Sequence, residues 1–163
     1  MVSWTPQLQK TLLKVILPLA LTALNCGYEP VHLRSSSPGS RTIAEVRSRF
    51  TLDPPAQSLW IKTPEKPPKK LANLLRDYEW CEKIIWSPDS SKVAFLITGL
   101  RLDVYDLRNL RLVSSVPLVH VDSYPGSREA RDVRFSRDGS SVEFRDCRRS
   151  QPDCGPAQNI VLR

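Results

Sequence analysis

Any chemistry in this chain of 163 residues has to come from its cysteines and a few aspartates. The cysteines are Cys26, Cys81, Cys147 and Cys154. No two of them have the C-x2-C spacing of a zinc site, and neither His32 nor His120 stands near the later three. No metal and no cofactor is expected. Cys147 and Cys154 bracket one polar loop of eight residues. A hairpin would bring its ends together, and an oxidising compartment would then form a disulfide there. Closing so short a loop contributes on the order of 2–3 kcal/mol in the loop-entropy model. Cys81 is left over and reads as a small hydrophobe in a strand rather than a reactive thiol.

The aspartates offer little more. Asp89 and Asp138 each sit two residues after a serine, where a carboxylate accepts from turn amides, so they read as turn acceptors rather than metal ligands. Asp103 and Asp106 share a strand read over 102–107 but fall on opposite faces, which removes them as an acid–base pair. The chain has no Gly-x-Ser-x-Gly, no His-Glu-x-x-His and no phosphate-cradling glycine loop. The chain is therefore not expected to be an enzyme.

The elements that hold these residues are read from a repeat. Ile84 to Phe95 is a strand, a Ser-Pro-Asp-Ser turn and a second strand, and Val133 to Phe144 repeats it at an offset of 49 without a gap. Trp86 matches Phe135, Ser87 matches Ser136, Asp89 matches Asp138, and Phe95 matches Phe144. Pro88 pre-sets φ for the first turn, while the second has Arg137 in its place and Gly139 after the aspartate. Strands are expected at 81–86, 92–97, 102–107 and 110–116, with a hairpin turn at Arg108-Asn109. A second unit is expected from strands at 132–135, 141–146 and 159–163.

Composition describes an ordinary globular protein, 40% apolar and 25% charged, with 14 prolines against 6 glycines. Its net charge of +7 includes Lys10 and Lys14, which stand ahead of an apolar run, Val15 to Leu24, of about ten residues. That is the form of an export signal over 1–25, and it is too short to span a bilayer, which needs about twenty. Export disfavours a nucleic-acid partner despite the basic charge.

Asn25-Cys26-Gly27 after this run resembles the lipobox of bacterial lipoproteins, with Ala23, Leu24 and Asn25 departing from the family's preferred residues. The resemblance implies that Cys26 takes a diacylglycerol and a fatty acyl group such as palmitate, and anchors the chain in a membrane. It also implies a location in the cell envelope, facing the periplasm or the exterior. Gly27 lacks a retention-type aspartate, which by the same resemblance permits outer-membrane delivery. Residues 26–40 are then a lipid anchor and a flexible, disordered tether rich in serine. Residues 41–80 read as an extension with weak strands at 42–52 and 57–62. It also holds a basic proline-rich loop at 63–70 and one short helix over 71–80, from the helical spacing of Leu71, Leu74, Leu75 and Tyr78.

The repeat itself, across 81–163, resembles those of TolB-like and WD-repeat β-propellers, in which an aromatic-Ser-Pro-Asp-Gly turn joins the first two strands of each blade. The implied fold is mainly β, with about two antiparallel four-stranded blades, an incomplete propeller. The expected form is a short stack of two sheets with strand 57–62 covering an edge; closure of several chains into a ring and a degenerate fragment of a longer ancestor are the alternatives. Unpaired blade faces would be apolar and would call for a partner. The functional expectation is an envelope lipoprotein whose β-domain binds another protein. A divergent hydrolase or carbohydrate-binding module on the same scaffold is the alternative.

Overall fold

The structure, a computed structural model, describes residues 29–49, 56–74, 79–98, 100–118, 128–149 and 153–162. Cys26, the export signal and His120 lie outside these residues. All regular structure within them is antiparallel β, in three sheets.

The first sheet runs in chain order from β1 (Val31–Ser36) through β2 (Ile43–Arg49) and β3 (Ala56–Lys62) to β4 (Lys69–Leu74). The second follows the same plan with β5 (Cys81–Trp86), β6 (Lys92–Ile97), β7 (Arg101–Asp106) and β8 (Arg111–Pro117). The third holds β9 (Arg128–Phe135), β10 (Ser141–Arg148) and β11 (Cys154–Val161). The first strands of the sheets, β1, β5 and β9, adjoin one another in series. Sheets that converge at their first strands and splay toward their last are blades of a propeller-like stack.

The burial pattern explains the stacking. In β6 (Lys-Val-Ala-Phe-Leu-Ile) every residue from Val93 to Ile97 is buried, and in β7 every residue from Leu102 to Tyr105. A strand apolar on both faces needs a layer on each side. Toward the first sheet, Val93, Phe95, Ile97 and Tyr105 pack with Ala44, Val46, Leu59 and Ile61. Toward the third, Ala94, Leu96, Leu102 and Val104 pack with Val133, Phe135, Val142 and Phe144. The middle blade thus contributes to two separate cores.

Three expectations are corrected. The tether expected over 26–40 contains β1, which pairs with β2 from Val31↔Arg47 to Ser36↔Ile43. Its Val-His-Leu-Arg-Ser-Ser is mostly exposed, because it is an edge strand held by its neighbour's backbone rather than by burial, and so it read as linker. The helix expected over 71–80 is replaced, as far as Leu74, by β4, paired with β3. Register shifts there, Leu59 facing Ala72 and Trp60 facing Lys70, so Leu71 is a bulge. The extra residue breaks the two-residue alternation and leaves apolar positions that imitate helical spacing. Finally, residues 31–74 form a blade of their own, so the stack has three sheets and strand 57–62 is interior to one of them rather than a cover for an edge.

Candidate functional site

The repeated turns line one rim. In the second blade the Ser87 hydroxyl donates to Asp89 Oδ1 (2.6 Å) and accepts from the Lys92 N–H (2.9 Å), and Asp89 Oδ1 also accepts from the Ser91 N–H (3.1 Å). The third blade repeats this. Ser136 donates to Asp138 (2.6 Å) and accepts from Ser141 (3.0 Å), and Asp138 accepts from the Ser140 N–H (3.1 Å). Serine hydroxyls and turn amides hold both carboxyls below the ordinary range, Asp138 at about 2 and Asp89 lower still. Ser90 and Gly139 occupy the same left-handed position, φ 58° and 69°. Glycine adopts it without strain, so the second turn is the better built of the two.

A third copy of the turn stands at Ser37, within the stretch that the sequence presents as a tether. Ser37 N–H donates to Thr42 O (3.0 Å), as Ser87 does to Lys92 O (3.1 Å) and Ser136 to Ser141 O (2.9 Å). Ser37-Pro38 matches Ser87-Pro88, but Gly39 stands in the aspartate's place, and Ser40 supplies the oxygens that the Ser37 hydroxyl meets. The Ser-Pro pair, 50 residues before its counterpart, was the available signal; without the aspartate and the aromatic it read as tether. The three turns are also tied across blades. Gly39 N–H donates to Ser90 Oγ (3.0 Å), Trp86 Nε1 to Ser35 Oγ (3.0 Å), and Lys92 Nζ to Gly139 O (3.4 Å). Trp86, Ser87, Pro88, Asp89, Phe135, Ser136, Asp138 and Gly139 therefore form a structural rim.

The remaining candidate groups are also engaged. Asp103 accepts from Arg101 Nε (3.0 Å) and Ser115 Oγ (2.6 Å), while Asp106 accepts from the turn amides of Arg108 (2.8 Å) and Asn109 (3.3 Å). The two do not meet. Cys147 and Cys154 face each other across β10 and β11 and form a disulfide. Cys81 is a free, buried thiol whose pKa desolvation raises to about 12, which leaves it unreactive near neutral pH. Its backbone N–H donates to Gln57 Oε1 (2.8 Å), a wholly buried link between the first two blades. Among the described residues no cluster of His, Cys, Asp or Glu is disposed to hold a metal. Nor does any helix there have the length and apolarity to cross a membrane.

Two concave surfaces flank the β3–β4 hairpin. On one side is a groove of about 730 Å³. Ile61, Pro67, Leu107 and Leu110 line it, and Lys66, Lys69 and Arg108 stand at its edge. From it the chain continues into β8, an edge strand with Leu112 49% and Val113 39% exposed. On the other side is the outward face of the first blade, with a smaller hollow of about 460 Å³. There Glu45, only 2% exposed, is clamped by Arg34 (2.6 Å) and Arg47 (2.8 Å). Burial pushes the Glu45 carboxyl up, but the two guanidiniums outweigh it and hold the carboxyl below its usual value. Arg47 lies over the Trp60 ring at 4.4 Å and Lys70 at 5.0 Å.

The third blade's outward face is charged as well. Arg134 pairs with Glu143 (2.8 Å) and Arg145 lies 3.7 Å from Asp132. The expectation that unpaired blade faces are apolar is therefore wrong. The outer blades turn their apolar residues to the middle one and their ion pairs outward.

No protein-family model matches the chain, and no curated protein matches it. Solved structures do. The chain is similar to the acylaminoacyl peptidase of Pyrococcus horikoshii, at 17% identity and a TM-score of 0.50, over 78% of this chain and 19% of that one. It is also similar to the β-propeller domain of the Trilobed protease from Pyrococcus furiosus (12% identity, TM-score 0.47, 83% of this chain and 44% of that one). A third similar structure is KlHsv2 with a Gly-Ser linker in place of one loop (14% identity, TM-score 0.46, 75% and 38%). The chain spans about a fifth of the length of the peptidase. At such identities the likeness bears on fold alone.

Proposed function

We propose that this chain is a cell-envelope lipoprotein, anchored through Cys26, whose propeller-like domain is a non-catalytic module that binds another protein at the outer edge of its middle blade. One observation carries the reading. The edge strand β8 presents Leu112 and Val113 to solvent and continues from the groove bordered by Leu107 and Leu110. An open strand edge beside an apolar groove is suited to take up an extended partner segment, through backbone hydrogen bonds and alternate side-chain contacts. By contrast, Lys69 and Lys70 protect the start of the first blade's edge strand. The Cys147–Cys154 disulfide agrees with an oxidising, extracytoplasmic setting.

A hydrolase or carbohydrate-binding reading finds less to use. The carboxylates of the turns and of β7 are bound within the fold, and the Trp60 ring, the candidate sugar platform, is covered by Arg47 and Lys70. Two measurements test the proposal in the producing cell. Radiolabelled palmitate should enter the wild type and be absent from Cys26→Ala; equal labelling sinks the anchor. A photoreactive benzoylphenylalanine in place of Val113 should give a discrete protein adduct that Leu112→Lys abolishes. No adduct, or one indifferent to Leu112→Lys, sinks the binding edge.

A further inference from the structure

We infer that the outward face of the first blade is a membrane-facing surface, which lies against anionic phospholipid head groups and fixes the orientation of the domain at the bilayer. The inference rests on the lipoprotein reading for its geometry, but its chemistry stands on residues of the face.

That face gathers cations from every strand of the blade: Arg34 from β1, Arg47 from β2, Lys62 from β3 and Lys70 from β4. Its two carboxylates, Glu29 and Glu45, offset only part of this charge and leave the four cations in excess. Glu45 is buried beneath Arg34 and Arg47, and Glu29 accepts from Ser58 Oγ (2.7 Å), with Lys70 3.8 Å away. Arg34 keeps 57% of its side chain exposed, and Lys62 is exposed with no acidic partner among the described residues. The buried Glu45 holds the two guanidiniums together, Arg34 on Oε1 and Arg47 on Oε2.

Position supplies the second argument. Glu29 and Val31 line this same hollow, so the described chain enters the domain there. Gly27, Tyr28, Glu29 and Pro30 are all that separate Cys26 from β1. Five peptide units reach no more than about 18 Å, so an acylated Cys26 would keep this face within that distance of the bilayer. With the anchor beside it, each basic side chain near an anionic surface adds binding of about fivefold.

The test uses the full chain reconstituted in vesicles, with benzoylphenylalanine in place of Lys62 on the first blade or of Arg134 on the third. The expected result is a phospholipid adduct at position 62 in phosphatidylglycerol–phosphatidylcholine vesicles. It should fall about fivefold for each of Arg34→Gln and Lys70→Gln, and be lost in pure phosphatidylcholine. Position 134 should give none. Equal lipid adducts at the two positions, or an adduct indifferent to lipid charge, would overturn the inference. So would a protein adduct at position 62 in cells with no lipid adduct. Palmitate labelling of the same chain reads the anchor separately. A labelled chain with equal adducts loses this inference and keeps the anchor; an unlabelled chain with charge-dependent adducts at position 62 loses the anchor and keeps the surface.

Discussion

At the scale of single residues, the serine–aspartate turns decide how the chain answers to acid. Asp138 is held at about 2 and Asp89 lower, chiefly by the hydroxyls of Ser136 and Ser87. An unfolded aspartate titrates at about 3.9. A carboxyl depressed in the folded state stabilises it above the unfolded pKa, and that contribution disappears as pH falls through the folded value. Stability should therefore decline between about pH 4 and pH 2. The double variant Asp89→Asn, Asp138→Asn should be less stable at neutral pH and flatter across that window. Urea unfolding along a pH series checks it, and parallel curves for the two proteins would contradict the assignment. Both turns were legible from Ser-x-Asp spacing. The Ser37 copy was not, because a serine hydroxyl performs there what an aspartate performs in the other blades.

At the scale of elements, β11 is the least secured strand. Six of its eight positions from Cys154 to Val161 are exposed, Val161 to 67%. Ile160 is its partly buried contact with the core between the second and third blades. The Cys147–Cys154 disulfide ties this strand to β10. Cys154→Ser should cost about 2–3 kcal/mol in urea unfolding. In native-state hydrogen exchange, residues 154–161 should open before β6 and β7 do. Exchange rising equally in β6 would show instead that the bridge supports the whole domain. The alternation of β10 and the apolar run of β6 were readable as strands. The β4 bulge at Leu71 and the exposed β1 were not, since in both the backbone pairing, rather than the side-chain pattern, makes the strand.

At the scale of the molecule, the two cores and the two charged outer faces form one device. A stacked repeat is polar on a face that no further unit covers, and the described outward faces of the first and third blades carry ion pairs. Phe95, wholly buried between the first and second blades, should lose about 3–5 kcal/mol as Phe95→Ala. Leu112→Lys, on the open edge, should change stability by no more than about 0.5 kcal/mol while removing the proposed partner contact. Denaturant midpoints measure both. A large loss for Leu112→Lys would mean that β8 is structural rather than a free edge.

Local chemistry in the sequence was enough to determine an antiparallel β-protein, the Ser-x-Asp turns and the Cys147–Cys154 pairing. Each depends on residues within one hairpin, where spacing and geometry are nearly the same thing. Only the tertiary structure decided that residues 31–74 close a blade of their own, that its outward face carries a buried Glu45 between two arginines, and that the stack ends in charge. Those outcomes depend on which face meets which, over separations of 50 residues. A pattern of apolar and polar residues records that a face is buried or exposed, but not against what.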